Sequence, residues 1–183
     1  MKRSVALLAV FALLIFAYIP LYASEPLPNG YGGIELGMTI DEVKEILKKN
    51  PQFGYRGERD VSLLPGENRV LIETDSSLAS PYSFLTQCWF QFYDGKLYII
   101  TINLNQTKMD HYSVFSTLCS KYGNPGALNP SKSEWKNDSV LMVLERPLTL
   151  KYTDRKVFDQ LQQQALARES AAELTREQFL EGL

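Results

Sequence analysis

The chain reads as an α+β domain in which two capped helices pack on one face of an antiparallel sheet, followed by a helical C-terminal tail. Three observations carry this expectation. A strongly capped helix signature lies at residues 39–49, an Asp-Gly hairpin signal sits between two β-rich runs at 87–102, and helix–hairpin order repeats further along. A helix followed by antiparallel strands segregates helices to one face of the sheet. Ten Tyr, nine Phe and two Trp in 183 residues favour a strand-rich body.

The helix signature is Gly37-Met38-Thr39-Ile40-Asp41-Glu42-Val43, running on to Lys48-Lys49-Asn50-Pro51. Thr39 suits the N-cap, and Glu42 three residues later closes a capping box on the Thr39 backbone N–H. Met38 and Val43 are placed as a hydrophobic staple. Asp41 and Glu42 sit at the positive end of the helix dipole, and Lys48 and Lys49 at the negative end. Pro51 stops the run by pushing Asn50 out of helical space. The apolar stripe is Val43, Ile46 and Leu47. Gly37, just before the cap, points to a turn that needs glycine.

The first residues bear on compartment. Lys2 and Arg3 precede an apolar run from Val5 to Ile19, 15 residues long, and Pro20 breaks it before Leu21-Tyr22-Ala23. This pattern predicts a secretory signal peptide over residues 1–23, too short for a comfortable span, with an uncleaved anchor as the alternative. No Cys lies near the cleavage point, so lipid anchoring there is excluded. Loss of Lys2 and Arg3 leaves 17 basic against 21 acidic residues, a net charge of −4 in place of −2. Neither value supplies the basic field that nucleic acid requires. The expected home is the periplasm or the extracellular space, with no membrane span after cleavage.

Residues 24–153 then form one domain, opening with a loose Pro- and Gly-containing lead-in to Tyr31. Residues 51–68 carry Arg56, Arg59 and Arg69 nearby, interleaved with Glu58, Asp60 and Glu67. A solvated surface loop is preferred there over an anion-binding one. A short strand is expected at 69–74. In the hairpin, Asp94-Gly95 predicts a type I′ turn, which sets Tyr93 against Lys96 and Phe92 against Leu97. Strict alternation then places Cys88, Phe90, Phe92, Leu97 and Ile99 on the core face. The opposite face receives Trp89, Gln91, Tyr98, Ile100 and Ile102. Its apolar members, Trp89, Tyr98, Ile100 and Ile102, form either a surface covered by the C-terminal segment, which is preferred, or a partner or ligand face.

A second helix is expected at 110–122, capped by Asp110, with Val114, Phe115, Leu118 and Cys119 on one face and Gly123 as its left-handed stop. His111, the sole histidine, is expected at the surface. A hairpin follows around Asn137-Asp138, and Leu148 to Tyr152 alternates as a last, edge-lying strand after Pro147. Residues 34–104 and 110–153 thus look like tandem α-β-β-β units. From residue 154 to 183 the chain turns helical, with Val157, Phe158, Leu161 and Ala165 as one stripe, Leu174, Phe179 and Leu180 as another, and a capping box at Thr175 to Gln178.

Export leaves Cys88 and Cys119 two fates: a disulfide closing a loop worth roughly 3–4 kcal/mol, or two buried free thiols. One His and two Cys 31 positions apart cannot build a usual zinc site. Nucleophile-elbow, phosphate-loop and dinucleotide motifs are missing. No catalytic residue, metal or cofactor is therefore assigned.

The run Ile34-x-Leu36-Gly37-Met38-Thr39-x-x-Glu42-Val43 resembles the first-helix signature of small exported domains of the BamE (SmpA/OmlA) type. The tandem helix-plus-sheet layout resembles that of β-lactamase-inhibitor-protein-like domains. Leu118-x-x-Lys121-Tyr122-Gly123-x-Pro125, Trp135 and Leu150-x-Tyr152 are similar to segments of uncharacterised exported bacterial proteins. The resemblance implies an envelope-associated domain. The chain departs from the pattern in lacking a lipidation Cys and a second helix directly after the first. The functional expectation is a non-enzymatic exported domain binding another envelope protein. The rival is an enzyme or small-ligand carrier with a pocket between the sheet and loop 51–68.

Overall fold

The computed structural model describes residues 25–66, 68–78 and 82–182; the expected signal peptide lies outside them. Thr39 caps helix α1 (Ile40–Lys49) as its sequence dictates. The Glu42 amide donates to Thr39 Oγ1 at 3.3 Å, and the Thr39 amide donates to Glu42 Oε2 at 2.8 Å. These bonds hold the Glu42 carboxyl below its ordinary pKa. Val43 and Leu47 turn into the core, each burial stabilising by roughly 1.5–3 kcal/mol. Ahead of the cap, Gly37 adopts φ +88°, and its amide donates to the Leu97 carbonyl at 2.7 Å. The Leu97 amide returns a bond to the Met38 carbonyl at 2.9 Å. The helix entrance is thereby tied to the tip of a distant hairpin.

The lead-in is not loose. Strand β1 (Gly30–Tyr31) pairs with β2 (Ile34–Glu35), and the Glu25 amide donates to the Lys121 carbonyl at 2.7 Å. Nor is 51–68 merely a solvated loop. It holds 3₁₀ turns at Pro51–Phe53 and Glu58–Asp60 and an edge strand, β3 (Val61–Leu63). Phe53 is fully buried, with its ring 5.9 Å from that of Phe90. One aromatic among turn-forming residues anchors what composition marks as surface.

Strands β4 (Arg69–Asp75), β5 (Leu85–Tyr93) and β6 (Lys96–Leu104) form a meander. Helix α2 (His111–Tyr122) follows, then β7 (Ala127–Leu128), β8 (Lys132–Lys136), β9 (Val140–Glu145) and β10 (Thr149–Asp154). The eight-stranded sheet runs β3-β4-β5-β6-β10-β9-β8-β7, an order symmetric about the β6–β10 seam. Strand β10, expected at the edge, is therefore central. Pro147 falls in the turn before it, so the β10 ladder loses no donor. The actual edges, β3 and β7, are three and two residues long, which limits sheet-to-sheet pairing.

Next to the Asp94-Gly95 turn, where φ is +49° and +72°, the pairs Tyr93–Lys96 and Phe92–Leu97 form as expected. Strict alternation then fails. Gln91 pairs with Ile99, leaving Tyr98 as an extra residue, a β-bulge in β6. Every β6 residue beyond it changes face relative to the expectation. Ile100 and Ile102, expected on the outer face, point into the core and are fully buried, whereas Ile99 moves to the outer face. Both α1 and α2 contribute to the same core cluster as Phe90, Ile100, Ile102, Met142 and Tyr152.

The tail is one helix, α3 (Arg155–Glu181), capped by Asp154 Oδ1, which accepts from the Lys156 and Val157 amides. Thr175 is interior to it and hydrogen-bonds back to the Ala171 carbonyl, so no capping box forms there. At 27 residues the helix is about 40 Å long. Only Val157 and Leu161 among its apolar side chains are half-buried, and every residue from Gln162 to Gly182 is exposed. Beyond its first two turns, over residues 162–181, the helix is exposed and covers none of the outer face. Leu174 lies about 160° around the helix from Phe158, so the apolar positions never gather into one stripe.

The bulge makes a direct prediction. Ile102→Ala should lower unfolding stability by about 2–5 kcal/mol, and Thr101→Ala by less than about 1 kcal/mol. Urea melts followed by circular dichroism distinguish these; a costly Thr101→Ala beside a mild Ile102→Ala would restore the unbulged register.

Candidate functional site

With the helices on one side, the other side of the sheet presents rows that the strand register defines. One row runs Glu73–Trp89–Thr101–Lys151–Val143–Glu134 across six strands. The next runs Leu71–Gln91–Ile99–Thr153–Leu141–Lys136. Trp89, Leu71 and Leu141 are half-buried, Ile99 and Val143 more fully covered; Glu73, Glu134 and Lys136 stand at three of the four row ends, and Lys151 lies within the first row. An apolar centre with a charged margin is the arrangement of an interface core and rim.

Of the four residues expected here, the structure keeps Trp89 and Tyr98 and removes Ile100 and Ile102 to the core. Tyr98 is itself largely buried, and its hydroxyl lies 3.4 Å from Gln91 Oε1. Burial raises its pKa, with Arg69 opposing. Leu71, Leu141 and Val143 join the face only through tertiary pairing. Their alternation within separate strands is visible in sequence, but which rows they share is not.

Cys88 and Cys119 are free thiols. Cys88 faces the core from β5 between Thr74 and Ile102, and burial pushes its pKa up to about 12. Cys119 shares its stripe on α2 with Phe115, whose ring is 6.1 Å from Trp135 on β8. Strand β8 is four strands from β5, about 19 Å at the usual interstrand spacing. A disulfide needs Cα atoms within about 7 Å. The two helices lie over different halves of one sheet, and that separation selects the free-thiol alternative over the bridge.

Of the two arginines in loop 51–68, Arg56 is engaged by a carboxylate, whereas Arg59 makes no hydrogen bond or ion pair among the described residues. Arg56 clasps the buried Asp60 carboxylate through its amide at 2.7 Å, Nε at 2.9 Å and Nη2 at 2.8 Å, while Lys44 pairs with Glu58 at 2.8 Å. His111, expected at the surface, is half-buried in the first turn of α2. Its ring stacks on Phe115 with centroids 6.5 Å apart, and Nε2 is closed to solvent without a partner. Burial and then the charge of Arg146 lower its pKa, with Asp110 opposing. Asp110 makes no hydrogen bond to His111; its Oδ1 and Oδ2 accept from the Ser113 amide and hydroxyl. Among the described residues, no group of three or more His, Cys, Asp or Glu side chains is gathered for a metal ion. No described helix is long and apolar enough to cross a membrane.

The thiols give a direct measurement. In native protein at pH 8 without reductant, alkylation should spare Cys88 and reach Cys119 slowly; unfolding should release both, read as mass increments. Protection of both thiols after unfolding would demonstrate a bridge. Because the folded pKa of Cys88 lies above its unfolded one, its contribution to stability is present below about pH 9 and is lost as pH rises toward 12.

Comparison with curated proteins and with solved structures finds no match to either. Residues 29–164, 136 of the 183, match the TP0088 domain, covering the whole sheet, α1, α2 and the first turns of α3. The chain belongs to the TP0088 domain family.

Proposed function

We propose that this is an exported, non-enzymatic binding domain of the cell envelope that recognises a partner protein through the sheet face opposite α1 and α2. The observation that carries the reading is the outer face left half-exposed at Trp89, Leu71 and Leu141: both core helices lie on the other side, and α3 is exposed from Gln162 to its end at Glu181. Trp89 shares that face with Leu71, Ile99, Leu141 and Val143, with Glu73 beside it on β4, Lys151 on the central β10, and Glu134 and Lys136 on β8. Large aromatic side chains at the centre of such patches carry most binding energy. Chemistry is disfavoured because the acidic side chains nearest a histidine or arginine are already engaged in capping or ion pairs.

The finer architecture belongs to the same proposal. The symmetric strand order suits two copies of a helix-plus-meander unit, joined edge to edge at β6 and β10. That plan is in keeping with the resemblance to BamE-type and β-lactamase-inhibitor-protein-like domains. The N-terminal leader at 1–23 supplies the export route, and the partner is then another envelope protein.

A photo-crosslinking residue at Thr101 should yield one discrete adduct in native envelopes, and the same residue at the exposed Lys48 should not. Trp89→Ala combined with Leu141→Glu should abolish that adduct with the thermal melt retained. Equal adducts from both positions, or an adduct surviving the double variant, would overturn the reading. N-terminal sequencing of the mature protein should begin at Ser24; a chain starting at Met1 would replace export by tethering.

A further inference from the structure

Away from the sheet face, a cleft of about 480 Å³ opens between the first turn of α2, the β7–β8 turn and the turn after β9. That volume lies within the usual range for small-molecule sites, roughly 300–1,000 Å³. Arg146 is fixed at its rim by two bonds: its amide donates to the Ser131 carbonyl at 2.8 Å and its Nε to the Pro130 carbonyl at 2.9 Å. Its two terminal nitrogens have no hydrogen bond or ion pair among the described residues. A guanidinium held by Nε alone presents its remaining fork outward, the geometry that receives a planar carboxylate on two bonds.

Neither Asp110 nor Glu134 makes an ion pair with this cation. Asp110 uses both oxygens on Ser113, and Glu134 holds Lys132 at 2.5 Å. The hydroxyl of Ser133, a residue only 2% exposed, makes no hydrogen bond among the described residues and lines the same space. The other wall is apolar: the stacked His111–Phe115 rings and Leu128, which is 66% exposed although it is a large aliphatic side chain. One unpaired guanidinium, one unused hydroxyl and an aromatic wall share one cleft. We propose that this cleft is a binding site for a small organic carboxylate, its charge on Arg146 and Ser133 and its apolar body against Phe115 and Leu128. A single cation with a neutral imidazole beside it suits a monoanion better than a phosphate dianion. This site is separate from the sheet face, and its failure would leave the partner-binding reading untouched.

His111 is the only histidine, so its imidazole proton resonance reports on the cleft alone. The charged groups around it are Asp110 on its own helix, Lys132 with Glu134 on β8, and Arg146 after β9. An anion seated beside the ring favours imidazolium, so benzoate should raise the His111 pKa and bind more tightly as pH falls through it. Benzoate titrated into the full chain at constant ionic strength should shift the resonance saturably. Arg146→Gln should weaken binding about tenfold or more. Leu128→Asp, at an exposed position, should abolish binding with the rest of the spectrum unchanged. A linear shift without saturation, or equal binding by Arg146→Gln and Leu128→Asp, would overturn the assignment. Equivalent saturation by inorganic phosphate would overturn the carboxylate preference and leave a general anion site.

Discussion

One extra residue in β6 sets the phase of the whole sheet. Without the bulge at Tyr98, Ile99 would point to the helices and Ile100 and Ile102 to the outer face. With it, the pairs Phe90–Ile100 and Cys88–Ile102 align on the helix side, and through β10 they continue to Tyr152 and Leu150. The central core row is then Ile72–Phe90–Ile100–Tyr152–Met142–Trp135, every member of it nearly or wholly buried. Because side chains alternate with period two, no partial compromise exists: a one-residue slip exchanges entire faces.

The same bulge joins the two halves. Strand β6 ends the first meander and β10 ends the second, and their antiparallel pairing converts two four-stranded units into one sheet. Each unit's helix covers its own strands, so the core cluster is continuous across the seam. Local ties secure each helix to its half. Gly37 and Met38 bind the entrance of α1 to Leu97, and Trp135 Nε1 donates to the Gly123 carbonyl at 2.8 Å at the exit of α2. The outer face is the complement of this packing. Two helices suffice for one side, and nothing in α3 has the amphipathic stripe needed to cover the other.

The cleft below α2 arises from a different constraint. Its polar groups come from three separated segments, brought together because the β7–β8 and β9–β10 turns end on the same side as the α2 N-terminus. Main-chain carbonyls at Pro130 and Ser131 orient Arg146, so the positioning force is backbone hydrogen bonding rather than a carboxylate partner. That leaves a cation whose terminal nitrogens make no ion pair among the described residues, beside a histidine whose pKa burial and this same cation lower.

By itself the sequence determined whatever neighbouring residues settle among themselves. The Thr39–Glu42 box, the Asp110 cap, the positive-φ glycine stop at Gly123 and the Asp94-Gly95 turn all follow from residues within a few positions of one another. So do the α+β class and most strand positions. Tertiary structure decided what depends on distant partners: the bulge at Tyr98, the central place of β10, the burial of Phe53, the separation of Cys88 from Cys119 and the bare length of α3. The candidate sites divide the same way. Trp89 was legible as an aromatic in an alternating strand, whereas Leu71, Leu141 and Arg146 acquire their roles only from register and turn geometry. The physical reason is that caps and turns are closed by hydrogen bonds over three or four residues, while facing and burial are set by strands far apart in the chain.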